Sequence, residues 1–272
     1  GTKVLYGYTN DTSADEMMRI LSDLASRDLR DPVITMTSFD YRDSPDRHPL
    51  KQMLSHDPAI ESRVAFLLKA DAAARAASNL ISQTRGMCRE VEQRIEIFNS
   101  EGLHIADTRH YARATMTSIA ADGSEQATGM RSDGGMIGWE LSEKLDAEQT
   151  GAEASRQAMV NLGAKACPSG RMPVVIGNGF GGVIFHEACG YLLETTSVAK
   201  RASVFHDKLG EMIANPAVSA SDDGTLVNEW GSLNIDDEGM ETQHTQLIKD
   251  GELVSFLVDR IGSQQTGYER TG

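Results

Sequence analysis

Cysteine is scarce in this chain. Cys88, Cys167 and Cys189 are odd in number, lie far apart and form no CxxC pair, which argues against a disulfide framework and fits a reducing compartment. No apolar run reaches the length of a membrane span, and the first residues lack the charged-then-apolar pattern of a secretory signal. Basic residues are outnumbered, 26 Lys and Arg against 40 Asp and Glu, so the formal net charge is −14, and no long basic run interrupts it. Such a field repels phosphate backbones and anionic lipid, which excludes nucleic acid and membrane as expected partners. The expected location is cytoplasmic. No internal repeat or low-complexity stretch is present.

What remains is ordinary soluble usage, 40% hydrophobic and 24% charged, in 272 residues, long enough for two domains. The chain opens on Gly1 and stops at Arg270-Thr271-Gly272 without a closing element, so it reads as a piece of something longer.

Residues 3–8 alternate weakly and predict a strand. A helix follows, with Thr12 or Ser13 as N-cap, Asp15 and Glu16 in its first turn, and Met17, Ile20, Leu21 and Leu24 as an apolar stripe. Residues 41–50 hold two prolines and many charges and read as a surface connector. A second helix is expected from near Pro58, a residue suited to a first helical position, through the alanine-rich stretch 70–77. Residues 88–130 read as an antiparallel meander with turns at Asn99-Ser100-Glu101-Gly102 and Asp122-Gly123. A helix over about 146–162 closes this unit.

The stretch Cys167-Pro168-Ser169-Gly170-Arg171-Met172-Pro173 reads as a boundary. It divides a region 1–167, with a sub-boundary near 41–57, from 168–272. Beyond it a strand at 174–177, a glycine turn and a short helix are expected. Then come two acidic turns, Asp222-Asp223-Gly224 and Asp236-Asp237-Glu238-Gly239, and a hairpin pairing 246–248 with 253–258 across Asp250-Gly251. The second acidic turn lacks the alternating oxygen ligands and closing glutamate of a calcium loop.

The chemistry concentrates in Gly177-Asn178-Gly179-Phe180-Gly181-Gly182-Val183-Ile184-Phe185-His186-Glu187-Ala188-Cys189-Gly190-Tyr191. Gly177, Gly179 and Gly182 satisfy a dinucleotide fingerprint, but no second strand ending in an acidic residue follows about 20 positions on. The glycines then serve a tight turn, and a nucleotide-binding module is the weakest reading. His186-Glu187 is what a hydrolytic metal site uses, an imidazole for the metal and a carboxylate to take a proton from bound water. The dipeptide alone is more often a helix-end histidine beside a surface glutamate. A second histidine one turn later is absent: Gly190 and Tyr191 stand there. Residues five apart lie about 140° apart around a regular helix, so residue 191 joins residue 186 only if the helix is distorted, which Gly190 permits. Cys189 is either a soft donor or a small buried side chain, and nothing in the spacing of His206 or His244 brings them in.

With these residues in view, the segment resembles the TldD/PmbA family of metallopeptidases, whose TldD-type members carry His-Glu-x-x-x-His in a Gly-Gly-Val-Leu-Phe-His-Glu-Ala-x-Gly-His-like setting. Residues 123–135, Met172-Pro173-Val174-Val175, Asp222-Asp223-Gly224-Thr225, the stretch 231–239 and residues 259–272 resemble the family in the same order. The resemblance implies an α+β fold: an N-terminal part with helices on a mainly antiparallel sheet, followed by the beginning of a β-rich metallopeptidase domain. It implies a zinc cofactor, with His186 as first ligand, Glu187 as catalytic base and Tyr191 in the place of the second histidine ligand. The family's third ligand, a cysteine, matches none of Cys88, Cys167 or Cys189, so this chain alone is expected to be inactive. A phenol with an ordinary pKa of about 10 must lose its proton to bind zinc, so weaker binding is expected than with histidine. The implied function is zinc-dependent hydrolysis of small or unfolded peptides by a homodimer, or by a heterodimer with a PmbA-like paralogue. The alternative is a non-catalytic PmbA-like partner subunit.

Overall fold

The computed structural model describes residues 4–30, 38–48 and 60–272. Helix α1 (Ala14–Ser26) starts at Ser13, whose hydroxyl accepts the Glu16 amide hydrogen at 3.3 Å, as the capping pattern predicts. Residues 4–8 form no strand, against expectation; a strand needs a neighbour for its backbone groups, and none pairs with them among the described residues. Residue 3 lies outside those described.

The expected connector at 41–50 is also corrected. Strand β1 (Asp40–Asp43) pairs in parallel with the start of a later strand, Asp40 opposite Leu103, and His48 beyond it is buried. Residues 49 and 50, most of the sub-boundary at 41–57, and Pro58 lie outside the described residues. Helix α2 (Glu61–Ala76) runs through the alanine-rich stretch.

The meander is present and longer than predicted. It consists of β2 (Ile81–Phe98), β3 (Leu103–Asp122) and β4 (Glu125–Gly135), paired antiparallel in chain order. Its first turn is where the sequence puts it, with the Asn99 carboxamide accepting from the amides of Glu101 and Leu103. β2 covers one side of β3; β1 and β4 share the other side, at opposite ends.

After a turn of helix, α3 (Leu141–Lys144), α4 (Ala147–Leu162) is capped by Asp146, which accepts from Glu148 and Gln149. α2 and α4 meet through small residues, with Ala70, Ala74 and Ala154 buried beside Phe66, Met116 and Trp139. The Ser155 hydroxyl donates to the Ala74 carbonyl at 2.8 Å. Small side chains let the helix backbones approach so closely that a Cβ on Gly151 would lie 1.9 Å from the Ala70 carbonyl oxygen.

Residues 163–178 are irregular and exposed, and the strand expected at 174–177 is absent. Val174, Val175 and Ile176 point outward, and no other described strand pairs with them. Short helices α5 (Val183–Ala188) and α6 (Thr195–Val198) follow, then β5 (Ala220–Asp223), β6 (His244–Lys249), β7 (Glu252–Leu253) and α7 (Arg260–Thr266). Asp222 and Asp223, expected in a turn, end β5 instead. The hairpin at Asp250-Gly251 forms with both residues at positive φ, 49° and 87°, the twist that suits such a connection. Its second arm is shorter than predicted: from Val254 the chain leaves the ladder, and the amides of Val254 and Ser255 both turn to the Leu247 carbonyl. Leu193, Leu247, Ile248, Leu253 and Phe256 form the core of this three-stranded unit.

The two cores are joined by buried polar contacts. Asn234, 4% exposed, donates to the Asp107 carboxylate at 2.9 Å and accepts from the Arg47 amide at 3.0 Å. The Arg47 guanidinium donates to the Thr242 carbonyl, and Arg109 donates to the Ile235 carbonyl and to Asp237. The Asn228 amide donates to Nδ1 of His48 at 2.9 Å. Trp230 lies against Tyr111 and under the Arg113 guanidinium, 3.9 Å from the ring centroid. The architecture is α+β, helices on a mainly antiparallel sheet followed by a smaller β-rich unit. Among the described residues no helix is long and apolar enough to cross a membrane.

Candidate active site

The glycine turn does what its composition suggests. Gly179 takes φ +77°, a conformation costly for other residues, and the chain winds through a tight turn at Gly179–Gly182 into α5. His186 and Glu187 sit near the end of that helix, both exposed. The Cys189 amide makes the last helical hydrogen bond, to the Phe185 carbonyl. Cys189 itself departs to φ −131°, ψ −49°, and a new tight turn begins at Gly190–Leu193.

This break decides the geometry. A continuous helix would carry residue 191 to the far side from residue 186. The break returns it, and the Tyr191 ring lies against the His186 imidazole, with centroids 4.4 Å apart and planes tilted by 58°. Leu193, two residues on, is fully buried and fixes the turn: its carbonyl accepts from Leu257, while Leu257 accepts from Thr195. The turn is therefore tied to the small core by Leu193, by these backbone bonds and by the Ser203 hydroxyl, which donates to the Leu192 carbonyl at 2.5 Å. Upstream its surroundings are open, with Phe180, Ile184 and Phe185 exposed.

The donor set fits a zinc ion in part. His186 offers an imidazole, and Glu187 follows it directly. Tyr191 fits less well as it stands. A phenol must lose its proton before it binds zinc, which a neutral imidazole need not do. The observed 4.4 Å is ring packing. Among the described residues no group of three or more histidine, cysteine, aspartate and glutamate side chains is placed to hold a metal ion.

The other candidates are engaged elsewhere. Cys189 packs beside the small core, and burial pushes its thiol up, away from the thiolate a metal needs. Cys88 is held still more firmly as a thiol, pushed up to about 11 by burial. A ring nitrogen of His206 is bonded to the Ser203 carbonyl. His244 contacts Asp223, whose carboxyl is lowered to about 2, chiefly by the Thr225 hydroxyl and amide and then by that imidazole. Sequence reasoning missed the buried polar junction at His48, Asp107 and Asn234, because nothing in the spacing announces contacts between residues so far apart. A polar Arg47-His48 pair beside a proline was the one available cue.

Residues 54–162 match the PmbA/TldA metallopeptidase central domain, and residues 169–272 match the PmbA/TldA metallopeptidase C-terminal domain. A metalloprotease TldD homolog from Haemophilus influenzae is 35% identical over 217 residues, covering 78% of this chain and 45% of that protein. The chain spans about half the length of the curated relatives it matches (45% to 47% for three of them). A solved protein of Thermotoga maritima superposes with a TM-score of 0.75 at 23% identity, covering 97% of this chain and 59% of its own. TldE from Thermococcus kodakarensis gives 0.70 at 20%, covering 94% and 57%. At those identities the likeness shows the fold. Two successive domain matches, in the order in which the two cores occur, with His186-Glu187 inside the second, make this chain a member of the TldD/PmbA family of metallopeptidases.

Proposed function

We propose that the chain is part of a zinc-dependent peptidase of the TldD type, with His186 as a metal ligand and Glu187 as the general base. The observation that carries this reading is the helix break at Cys189, which brings the fifth residue after His186 back beside it. The family's motif spacing needs such a break, and it persists here although the residue delivered is Tyr191. His186 would hold the zinc ion, which would supply polarisation of a scissile carbonyl and a more acidic bound water. Glu187, directly after the ligand and exposed, takes the water proton and passes it to the departing amine. The described residues supply one firm donor, so the centre draws its remaining ligands from outside them. Small or unfolded peptides are the proposed substrates, for a cytoplasmic homodimer or a heterodimer with a PmbA-like paralogue. Two domains, 1–167 and 168–272, are the proposed division of the chain.

The second reading is a non-catalytic partner subunit of the PmbA kind. The ring packing at Tyr191 favours it, because a phenol packed on the imidazole is a poorer zinc donor than the histidine that the motif has there. Zinc per chain, measured by elemental analysis on the full-length gene product, separates the two. Near one zinc, with chelator-sensitive peptidase activity that Glu187→Gln lowers by about 10²-fold or more while zinc stays, supports the peptidase. A folded protein without zinc supports the partner role.

A further inference from the structure

We propose that Gly190 and Tyr191 form a positioning clamp for the His186 imidazole, and that Tyr191 acts through its ring and not as a metal donor. The inference rests on reading His186 as a ligand. Two independent surfaces hold the imidazole. One is the Tyr191 ring, at 4.4 Å between centroids. The other is the backbone of the helix break: a Cβ built on Gly190 would lie 3.2 Å from Nδ1 of His186 and 3.7 Å from its Cγ.

Gly190 is not needed for backbone freedom, because its φ is outside the left-handed region that other glycines here adopt. The requirement is space. The imidazole lies across the bare Cα, closer than a methyl group comfortably allows, with its Nδ1 edge toward the break. That leaves Nε2 as the nitrogen free to meet a ligand. The buried Leu193 anchors the turn carrying both clamp residues, so the ring is held by an element that is itself fixed. A metal ligand held in one rotamer loses less freedom on binding than a mobile one. Tyr191 thus restores by packing part of what a second histidine would give by coordination.

The test uses the full-length protein, metal-free, with 13C-labelled histidine, and identifies the His186 signal by its loss in His186→Gln. The Tyr191 ring current displaces that signal from its position in Tyr191→Leu. Tyr191→Phe, which keeps the ring and removes the phenol, retains the displaced position, and Gly190→Ala shifts it by pushing the imidazole aside. Zinc affinity follows the same order: Tyr191→Phe stays within about twofold of the parent, while Tyr191→Leu and Gly190→Ala fall by about three- to tenfold. Thermal midpoints confirm that each variant is folded, and the isosteric phenylalanine keeps the comparison interpretable if the alanine variant is not. A Tyr191→Phe protein that loses zinc as far as Tyr191→Leu makes the phenol a donor and overturns the proposal. So does a His186 signal that ignores Tyr191→Leu. If the signals behave as expected but neither parent nor variants bind zinc, the clamp stands and the metallopeptidase reading fails.

Discussion

Asn234→Asp changes one atom type at the junction between the two cores and should be severe. The parent carboxamide donates to Asp107 at 2.9 Å and accepts from the Arg47 amide, and both side chains are nearly inaccessible to water, Asp107 being 7% exposed. The substitution replaces the donor by a second carboxylate facing the first. Two unit charges about 4 Å apart at an effective dielectric of about 20 repel by about 4 kcal/mol. The Arg47 guanidinium, which reaches the Asn234 carbonyl at 3.4 Å, offsets part of this, so a net loss of about 2–4 kcal/mol at pH 7 is expected. Acid should relieve it, because two facing carboxyls share one proton once the pH approaches the carboxylate range. The variant should then differ from the parent by about 1 kcal/mol, the worth of an altered hydrogen bond. Urea unfolding at pH 7 and near pH 4.5 reads this through Trp230, which sits at the junction, in a Trp139→Phe background. A variant within about 0.5 kcal/mol of the parent at pH 7, or a loss that does not shrink with acid, would refute the buried contact.

Two further outcomes follow from other contacts. Gly151→Ala should destabilise by about 1–3 kcal/mol despite alanine's better helix propensity, because its Cβ would meet the Ala70 carbonyl at 1.9 Å; an unchanged or raised thermal midpoint would contradict so close a helix crossing. His48 should make stability fall in mild acid. Burial pushes its imidazole below the usual 6.5, the Leu233 carbonyl, Asp107 and Asp46 oppose that and Arg47 adds to it, and its Nδ1 must stay unprotonated to accept from Asn228. The folded state then binds fewer protons than the unfolded one, so the contribution is complete above about pH 6.5 and is lost as pH falls through the folded value. His48→Asn, which keeps an acceptor near Nδ1, should flatten this fall in a series of thermal midpoints from pH 5 to 8.

Much of the fold was legible because its signals are local. Ser13 caps its helix where its sequence neighbours say it should, a helix runs over about 146–162, and Asp250-Gly251 can hardly avoid a hairpin. The break after His186 was legible as a condition, since residue 191 could join residue 186 only through a distortion near Gly190. What escaped is pairing between distant segments. The acidic Asp40–Asp43 run has none of the alternation of a half-buried strand, and only β3 makes it one. Residues 174–177 show the reverse case, a sequence with strand propensity and no described partner. Ring packing at Tyr191 was out of reach because spacing says which residues meet but not how their planes lie.

The wide separation of the junction contacts along the chain has a kinetic consequence. β2 and β3 close across a four-residue turn, and α2 and α4 pack on them directly, so this part can assemble soon after it is made. The bonds from Arg47 to Asn234, from His48 to Asn228 and from Arg109 to Ile235 span 187, 180 and 126 residues. Closing such long loops is entropically unfavourable until many contacts form at once, which places them late in folding. During synthesis, Arg47 and His48 leave the ribosome long before their partners exist. The small core, to which Leu193 ties the segment bearing His186 and Glu187, is joined to that sheet late, so folding intermediates of this protein should have a formed central sheet and a small unit not yet docked on it.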